Sequence, residues 1–216
     1  MITLSYKLHL CKNNNYLSLD LCGLDLFYIP NIKNHPDYEN IIKIEHLFLN
    51  SNNISTIFDD DIKQFKYLKV LDISYNNLTN INHLPNTLTE LVCRNNYLIN
   101  ICGLYNLIKL DCSFNKIDYL NNYDKLEILD CSYTNVKTTS FKKLKKIYCN
   151  DSKFNDISGY NYIEYIEMVG SCITKLYYYN NLKKIIFTKT DDFLISKKYK
   201  IKDKDEYDNI ITLCFC

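Results

Sequence analysis

The chain has 216 residues and a formal net charge of +1, with 26 Lys and Arg residues against 25 Asp and Glu residues. This balance gives no overall attraction to nucleic acid or to an acidic membrane. No run approaches the roughly eighteen apolar residues of a membrane span. With four Gly and four scattered His residues, the sequence has no Gly-rich phosphate loop and no HExxH motif. We therefore expect no enzyme and no small-molecule substrate.

Residues 1–15 are predicted to form an N-terminal cap. Leu4, Tyr6, Leu8 and Leu10 are spaced by two, and this alternation is typical of a strand that covers the open end of the following structure. The segment lacks the long apolar core and the small-residue cleavage site of a signal peptide. We therefore expect an intracellular, cytoplasmic chain.

One pattern, LxxLDCSxxx followed by Ile or Val, occurs twice within residues 107–136, at an offset of 19 residues. A single unit of this kind is too short to bury its own apolar face, whereas a stack of units shares one core. We number positions within each unit from its first residue. About nine such units, of 18 to 28 residues each, span residues 16–190 and begin at Tyr16, Ile44, Leu68, Leu88, Leu107, Leu126, Leu144, Ile163 and Leu182.

Each unit is predicted to contain a short strand at positions 3–8, with positions 4 and 6 directed inward. Neighbouring strands then pair in parallel, about 4.8 Å apart. Position 9 begins the turn, where backbone groups leave the sheet and need hydrogen-bonding partners. A polar residue fills position 9 in the eight copies after the first. We expect these residues to form a structural turn ladder: Asn52, Asn76, Asn96, Asn115, Thr134, Ser152, Ser171 and Thr190.

The segments that return from one unit to the next differ in length. Residues 58–67 have room for about two helical turns, with Asp59–Asp61 as N-cap candidates, and a second short helix is expected after Pro36. The copies of 18 to 20 residues leave too few residues for a helix, so we expect extended or 3₁₀ segments there. Residues 191–216 are charged and then apolar, which predicts a polar C-terminal cap with one closing strand.

Four of the ten cysteines, Cys93, Cys112, Cys131 and Cys149, occupy position 6 of successive units, where other copies carry apolar residues. Because free Cys behaves as a small apolar residue, we expect reduced thiols in the core. The terminal CFC sequence has no matching His or Cys pair at zinc-site spacing. No metal or cofactor is therefore expected.

The segments LKVLDISYNNLTNI, LTELVCRNNYLINI and LIKLDCSFNKIDYL resemble leucine-rich repeats, LxxLxLxxNxLxxL, and the resemblance covers roughly residues 16–190. The short copies with Cys at position 6 are most similar to short-repeat proteins of bacteria and large DNA viruses; in a virus the location would be the host cell cytoplasm. The resemblance implies an α/β solenoid. This is a right-handed superhelix with a parallel concave β-sheet and short helices only in the N-terminal repeats. It also implies a non-catalytic scaffold that presents positions 2, 3, 5, 7 and 8 on the concave face.

Equivalent positions of an in-register sheet form columns, and two columns suggest a partner surface. Position 8 places aromatic side chains in the middle of the concave face, and position 5 places carboxylates beside them. Large exposed aromatics often mark a partner surface, although inherited repeat sequence would also account for them. We expect a strip that binds a protein partner, formed by Tyr75, Phe114, Tyr133, Asp72, Asp111, Asp130, Arg94 and Tyr148.

Position 2 alternates in charge along the second half of the chain, so neighbouring units should attract one another. Two other functions stay open. One is a targeting subunit for a separate enzyme. The other is association with nucleic acid or an anionic surface through a C-terminal Lys cluster, although Asp151, Glu164 and Glu167 lie among its basic residues. This cluster consists of Lys142, Lys143, Lys145, Lys146, Lys183, Lys184 and Lys189. We expect the chain to be a monomer.

Overall fold

The computed structural model describes residues 4–121, 123–137, 141–173, 175–188, 194–195, 201–207 and 210–215. Its main element is one eleven-stranded sheet, with a separate two-stranded sheet formed by β9 and β11. The strands are β1 Ser18–Asp20, β2 His46–Phe48, β3 Val70–Asp72, β4 Glu90–Val92, β5 Lys109–Asp111, β6 Ile128–Asp130, β7 Lys146–Tyr148, β8 Tyr165–Met168, β9 Lys175–Leu176, β10 Lys184–Thr188, β11 Leu194–Ile195, β12 Ile201–Tyr207 and β13 Ile210–Phe215.

Strands β1 to β8 and β10 pair in parallel, one from each of the nine units, and equivalent positions face each other. We call each unit with its strand a rung. This arrangement confirms the predicted α/β solenoid with a parallel sheet. Most of the repeat strands cover positions 3–5, so the predicted strand over positions 3–8 is wrong in its length. Hydrogen bonds between rungs continue through position 8, as from Phe114 N to Ser132 O at 3.0 Å. The regular strand ends at position 5 in most units, and the backbone leaves the extended conformation fully at position 8, where φ is positive.

The inward positions of the repeats form one continuous core. The unit that begins at Leu107 is an example, because Leu107, Leu110, Cys112 and Ile117 are all fully buried. A second buried column lies three residues before the start of successive units and was not singled out from the sequence: Tyr123, Phe141, Tyr160 and Tyr179.

The Tyr123 side chain shows how an aromatic residue fits this core. Its ring stacks on that of Phe141, with 6.1 Å between centroids, and its hydroxyl donates to Ile101 O at 2.8 Å. The Tyr179 hydroxyl donates to Ile157 O in the same way. Aromatic rings thus close the return side of the short repeats, and their hydroxyls satisfy backbone carbonyls of the preceding unit.

The N-terminal segment forms the helix α1, Leu4–Asn13, so the predicted strand is wrong. The buried residues of this helix are Leu8 and Cys11. They are three positions apart, and residues three or four positions apart lie on the same face of a helix. The helix covers the first strand: Lys7 Nζ lies 2.7 Å from an Asp20 carboxylate oxygen. Asn14 donates from its side chain to Ser18 O at 2.9 Å, which satisfies part of the exposed sheet edge.

Two further helices, α2 Tyr38–Ile41 and α3 Asp59–Ile62, lie in the long N-terminal return segments. Each has four residues, so the predicted two turns are wrong for α3. The N-cap of α3 is Phe58, without a side-chain capping bond, and not one of the predicted aspartates. In the described part of the short repeats, the return segments contain no helix, as predicted. No helix among the described residues is long and apolar enough to cross a membrane.

The C-terminal part adds two strands to the sheet and not the single predicted strand. Strand β13 pairs antiparallel with β10, and β12 pairs antiparallel with β13. Ile211, Leu213 and Phe215 alternate with less buried residues and extend the core. The outer strand has the sequence IKDKDEY. A charged edge strand discourages pairing with other chains.

Candidate functional site

Position 8 of eight successive units, from Gly23 to Gly170, adopts a left-handed backbone conformation, with φ from 44° at Asp151 to 67° at Gly170. Gly and Asn accept this conformation readily, whereas a bulky side chain in it is uncommon and costs energy. The column nevertheless includes Tyr75, Phe114 and Tyr133, and these three side chains are 46–47% exposed. The structure therefore places the three predicted aromatics on one exposed column.

Neighbouring groups hold these aromatic side chains in place. The rings of Phe114 and Tyr133 stack, with 4.2 Å between centroids and 15° between planes. The guanidinium carbon of Arg94 lies 5.1 Å from the centroid of the Tyr75 ring, within reach of a cation–π interaction. A hydrogen bond to the Asp151 carboxylate, together with its charge, raises the pKa of Tyr133. The predicted strip thus contains two contacting groups, with Asn95 between them.

The three position-5 aspartates are less available than the sequence suggested. The Oδ1 atoms of Asp72, Asp111 and Asp130 accept from the backbone N–H two residues later, at 2.9, 3.1 and 2.9 Å. Such Asx turns stabilise the bend after each strand. The residues that donate these bonds, Ser74, Ser113 and Ser132, are buried, so exposure of position 7 on the concave face was wrongly predicted for these units. Arg94, in another unit, is exposed at position 7.

Asp130 and Tyr148 belong to a second group of polar side chains, centred on Glu167. Burial, followed by the charges of Asp111 and Glu167, raises the pKa of the Asp130 carboxyl. Asn150 Nδ2 donates to Glu167 Oε1 at 2.7 Å, and the Tyr165 hydroxyl donates to Glu167 Oε2 at 2.6 Å. The Tyr148 and Tyr165 rings lie 5.2 Å apart. The sequence signal for this group is that Tyr165 and Glu167 lie two residues apart on one face of β8.

The asparagines of the turn ladder connect successive rungs. Asn96 Nδ2 donates to Ile73 O of the preceding rung at 3.0 Å and to Cys93 O of its own rung at 3.1 Å, while its Oδ1 accepts from Leu78 N at 2.9 Å. Asn52, Asn76 and Asn115 make equivalent bonds. One side chain therefore replaces several backbone partners lost at the turn.

The later residues of the ladder make different bonds. Thr134 Oγ1 donates to Cys131 O at 2.6 Å and Ser152 Oγ donates to Cys149 O at 2.7 Å, each within its own unit. Ser171 Oγ accepts from Ile173 N at 3.5 Å. Thr190 lies outside the described residues. A short hydroxyl side chain thus serves its own turn, whereas the longer amide spans two rungs.

The position-6 thiols are buried, and three of them donate weakly to the next strand. Cys93 Sγ lies 3.4 Å from Asp111 O, Cys112 Sγ 3.3 Å from Asp130 O and Cys149 Sγ 3.5 Å from Glu167 O. Burial raises the pKa of each of these thiols and of Cys131. The nine cysteines within the described residues are free, and Cys216 lies outside them. In this part of the chain, no three His, Cys, Asp or Glu residues are grouped to hold a metal ion.

The alternating charges at position 2 form ion pairs between adjacent rungs, which confirms the predicted attraction. Lys69 pairs with Glu45 at 2.9 Å, Lys145 with Glu127 at 2.8 Å and Lys183 with Glu164 at 2.6 Å. Lys142, also in the C-terminal Lys cluster, lies 3.0 Å from Asp124. Lys189 of that cluster lies outside the described residues. Three of the six lysines of this cluster that the structure describes are therefore paired with a carboxylate.

The repeat spacing, the in-register parallel sheet and the asparagine ladder together define the leucine-rich-repeat solenoid fold. No family model matches the chain. A leucine-rich repeat protein of Acanthamoeba polyphaga mimivirus is 31% identical over 139 residues, which are 62% of this chain and 27% of that protein. The chain thus spans about a quarter of the length of this curated relative.

Solved structures show the same fold. An internalin C2 from Listeria monocytogenes has a TM-score of 0.61 and 17% identity, covering 83% of this chain and 80% of the other. The leucine-rich repeat domain of APL1B has a TM-score of 0.58 and 17% identity, covering 86% and 68%. A leucine-rich repeat protein from Leptospira interrogans has a TM-score of 0.55 and 21% identity, covering 79% and 54%. At these identities the similarity establishes the fold alone.

Proposed function

We propose that the chain is a non-catalytic scaffold that binds a protein partner through its concave strip. The strip consists of Tyr75, Arg94, Phe114 and Tyr133, with the half-buried Asp72, Asp111, Asp130 and Tyr148 beside them. Solenoids of this class commonly use their extended concave surface for binding.

The observation that carries the proposal is the presence of exposed aromatic rings at left-handed positions. A bulky residue loses roughly 1–2 kcal/mol in that conformation, which Gly, Asn and Asp adopt more readily. Asn95, Asp151 and Gly170 show that the same position accepts smaller residues better suited to it. The three aromatics also leave about half of their surface in water. Neither backbone preference nor core packing explains them, whereas a partner that buries the rings does.

The geometry of the strip supports tight binding. Because Phe114 stacks on Tyr133 and Tyr133 contacts Asp151, the rings lose little freedom when a partner covers them. Aromatic side chains of this kind are enriched among the residues that contribute most to binding. The position-5 carboxylates, by contrast, are already engaged with the turns. We therefore assign them to shaping the strip rather than to selecting the charge of a partner.

Association with nucleic acid or an anionic surface remains the competing function. It requires free positive charge near the C-terminus, but Lys142, Lys145 and Lys183 each contact a carboxylate. Strong salt-dependent retention on heparin would favour this alternative. Targeting of a separate enzyme uses the same docking surface as the proposed scaffold and differs only in the identity of the partner.

The proposal is tested by purifying a stoichiometric partner and measuring its affinity for variants of the strip. We expect Phe114→Ala and Tyr133→Ala each to weaken binding by about 2 kcal/mol, roughly thirtyfold. Tyr119→Ala is the matched control because it removes a ring that is 60% exposed at position 13, outside the strip. Melting temperatures show that all variants are folded. Equal affinity for all three variants and the unmodified chain would exclude the concave strip.

A further inference from the structure

The aromatic column has an opening at Asn95, between the rungs of Tyr75 and Phe114. A recess of about 390 Å³ lies there, where the chain turns away from the sheet. Its walls are Asn95, Tyr97, Phe114 and Lys116, and its floor is formed by the turn-ladder asparagines Asn76, Asn96 and Asn115. We call it the Asn95 recess.

The floor of the recess is hydrogen-bonded internally. The side-chain nitrogens of Asn76, Asn96 and Asn115 each donate to backbone carbonyls of two rungs. Their Oδ1 atoms accept from Ile54 N, Leu78 N and Leu98 N. Because these amides are used by the fold, an occupant gains little from hydrogen bonds to the floor. The recess therefore suits an apolar group better than a sugar or another polar ligand.

Two aromatic side chains offer that apolar contact. Phe114 stacks on Tyr133 and also lines the recess, and Tyr97 is half exposed at its outer end. A group at the level of Asn95 would lie one rung, about 5 Å, from Phe114. That spacing is close to the 4.2 Å between Phe114 and Tyr133. A planar aromatic ring inserted there would continue the stack.

Lys116, which lines the recess, carries a positive charge, and Arg94 is the residue before Asn95. Lys116 Nζ lies 5.7 Å from the centroid of the Tyr97 ring, and Arg94 lies next to Asn95 in sequence on the concave side. Within the described residues, neither cation has a carboxylate partner at ion-pair distance. A carboxylate on the occupant would therefore gain an ion pair without breaking one.

We infer that the Asn95 recess receives an aromatic side chain of the protein partner that has an Asp or Glu residue next to it. This inference rests on the proposed function, since it specifies the chemistry of the partner at the concave strip. The inferred partner segment is acidic, whereas a partner selected by the carboxylates of the strip would be basic. The aromatic ring supplies buried area against Phe114, and the adjacent carboxylate reaches Lys116 or Arg94.

Filling the recess is the sharpest test. Asn95→Tyr places in it a residue that the fold already accepts at position 8, as Tyr75 and Tyr133 show. Ser51→Tyr is the matched control, because Ser51 is exposed at position 8 but lies on the far side of Tyr75. The probes are linear peptides selected from a random displayed library against the unmodified chain. Their affinities are then measured for both variants and for Tyr133→Ala, which alters the strip outside the recess.

We expect the selected peptides to share an aromatic residue next to Asp or Glu. They should bind Ser51→Tyr like the unmodified chain and Asn95→Tyr at least about tenfold more weakly. Lys116→Gln should weaken binding and reduce its salt dependence.

Failure to select peptides, selection of peptides without an aromatic residue, or equal binding to Asn95→Tyr would overturn the inference. If peptides bind Asn95→Tyr normally but lose affinity for Tyr133→Ala, the concave strip stands without the recess. If the peptides bind Asn95→Tyr, Tyr133→Ala and Phe114→Ala as tightly as they bind the unmodified chain, the concave strip is excluded as well.

Discussion

Asn76 donates from its side-chain nitrogen to the carbonyl oxygen of Leu49, 27 residues earlier in the chain, over 3.0 Å. The same nitrogen reaches Ile73 O of its own rung at 3.1 Å. The amide therefore joins two units at the point where their backbones leave the sheet. Loss of the amide would remove one donor from each of these buried carbonyls, which keep the amides of Asn52 and Asn96 as donors. It would leave the buried Ile54 N–H without its acceptor, Asn76 Oδ1.

Asn76→Ala should lower the free energy of unfolding by roughly 1–3 kcal/mol, since it leaves the buried Ile54 N–H without its acceptor and removes one donor from two buried carbonyls. Asn77→Ala is the control, because Asn77 is the next residue and is exposed. Its substitution should cost well under ~1 kcal/mol. Urea unfolding of both variants measures the difference. Similar losses at the two positions would contradict the role of the amide in joining the rungs.

The buried thiol column should be unreactive in the folded chain. Burial raises the pKa of Cys93, Cys112 and Cys131, so little thiolate is present to react at neutral pH. Brief alkylation with iodoacetamide, followed by peptide mass spectrometry, should label the exposed Cys102 and Cys172 first.

After unfolding without oxygen, thiol titration should recover about ten free thiols, as expected for reduced cysteines in a core. Alkylation in denaturant provides the reference for complete labelling. Rapid labelling of Cys112 in the folded chain, or native disulfides within the column, would contradict this expectation.

Asp130 should make stability depend on pH. Its pKa is raised above the ordinary value of 3.8, chiefly by burial, so folding favours the protonated carboxyl. Its contribution to stability is therefore greatest at low pH and is lost as the pH rises from the ordinary value through the higher pKa of the folded chain.

Asp130→Asn removes this titration and keeps an oxygen that can accept from Ser132 N. We expect the variant to have a higher free energy of unfolding than the unmodified chain at pH 7, with the advantage shrinking as the pH falls through the raised pKa of the folded chain towards the ordinary value of 3.8. Asp118→Asn, at an exposed site, should have little effect at either pH. Denaturant unfolding at several pH values measures both. A destabilised Asp130→Asn variant at pH 7 would show that the carboxylate charge is favourable there.

Strand β13 should protect the end of the solenoid. It covers the edge of β10 and buries Leu213, so removal of residues 191–216 should expose both a strand edge and the apolar core, and cause aggregation.

Point variants in β13 test whether the buried side chains, and not only the presence of the segment, stabilise the fold. Leu213→Asp should destabilise the fold strongly, whereas Thr212→Asp, at a less buried neighbour, should be tolerated better. Light scattering and thermal unfolding report the outcome; a truncated chain that stays monomeric and equally stable would show that the tail is not a cap.

The sequence was sufficient to predict the solenoid because each unit contacts mainly its neighbours. The spacing of Leu107, Leu110 and Ile117 recurs in unit after unit, and one recurring spacing defines one repeating core. The same register placed Tyr75, Phe114 and Tyr133 in one column. It also paired Lys145 with Glu127 correctly, since the partner of each residue is the equivalent residue of the next unit.

The tertiary structure decided what a local pattern leaves ambiguous. Leu8 and Cys11 satisfy helical spacing within a segment whose leucines also alternate, and packing against the first strand selects the helix. The Asx turn at Asp111 and the left-handed backbone at Phe114 decide which side chains are free. The Asn95 recess exists because neighbouring rungs stack at a fixed distance and a small residue interrupts the aromatic column. The recess depends on contacts between residues of successive units, which are 17 to 27 positions apart where the ladder asparagines join them, so its geometry appears only when the units are stacked.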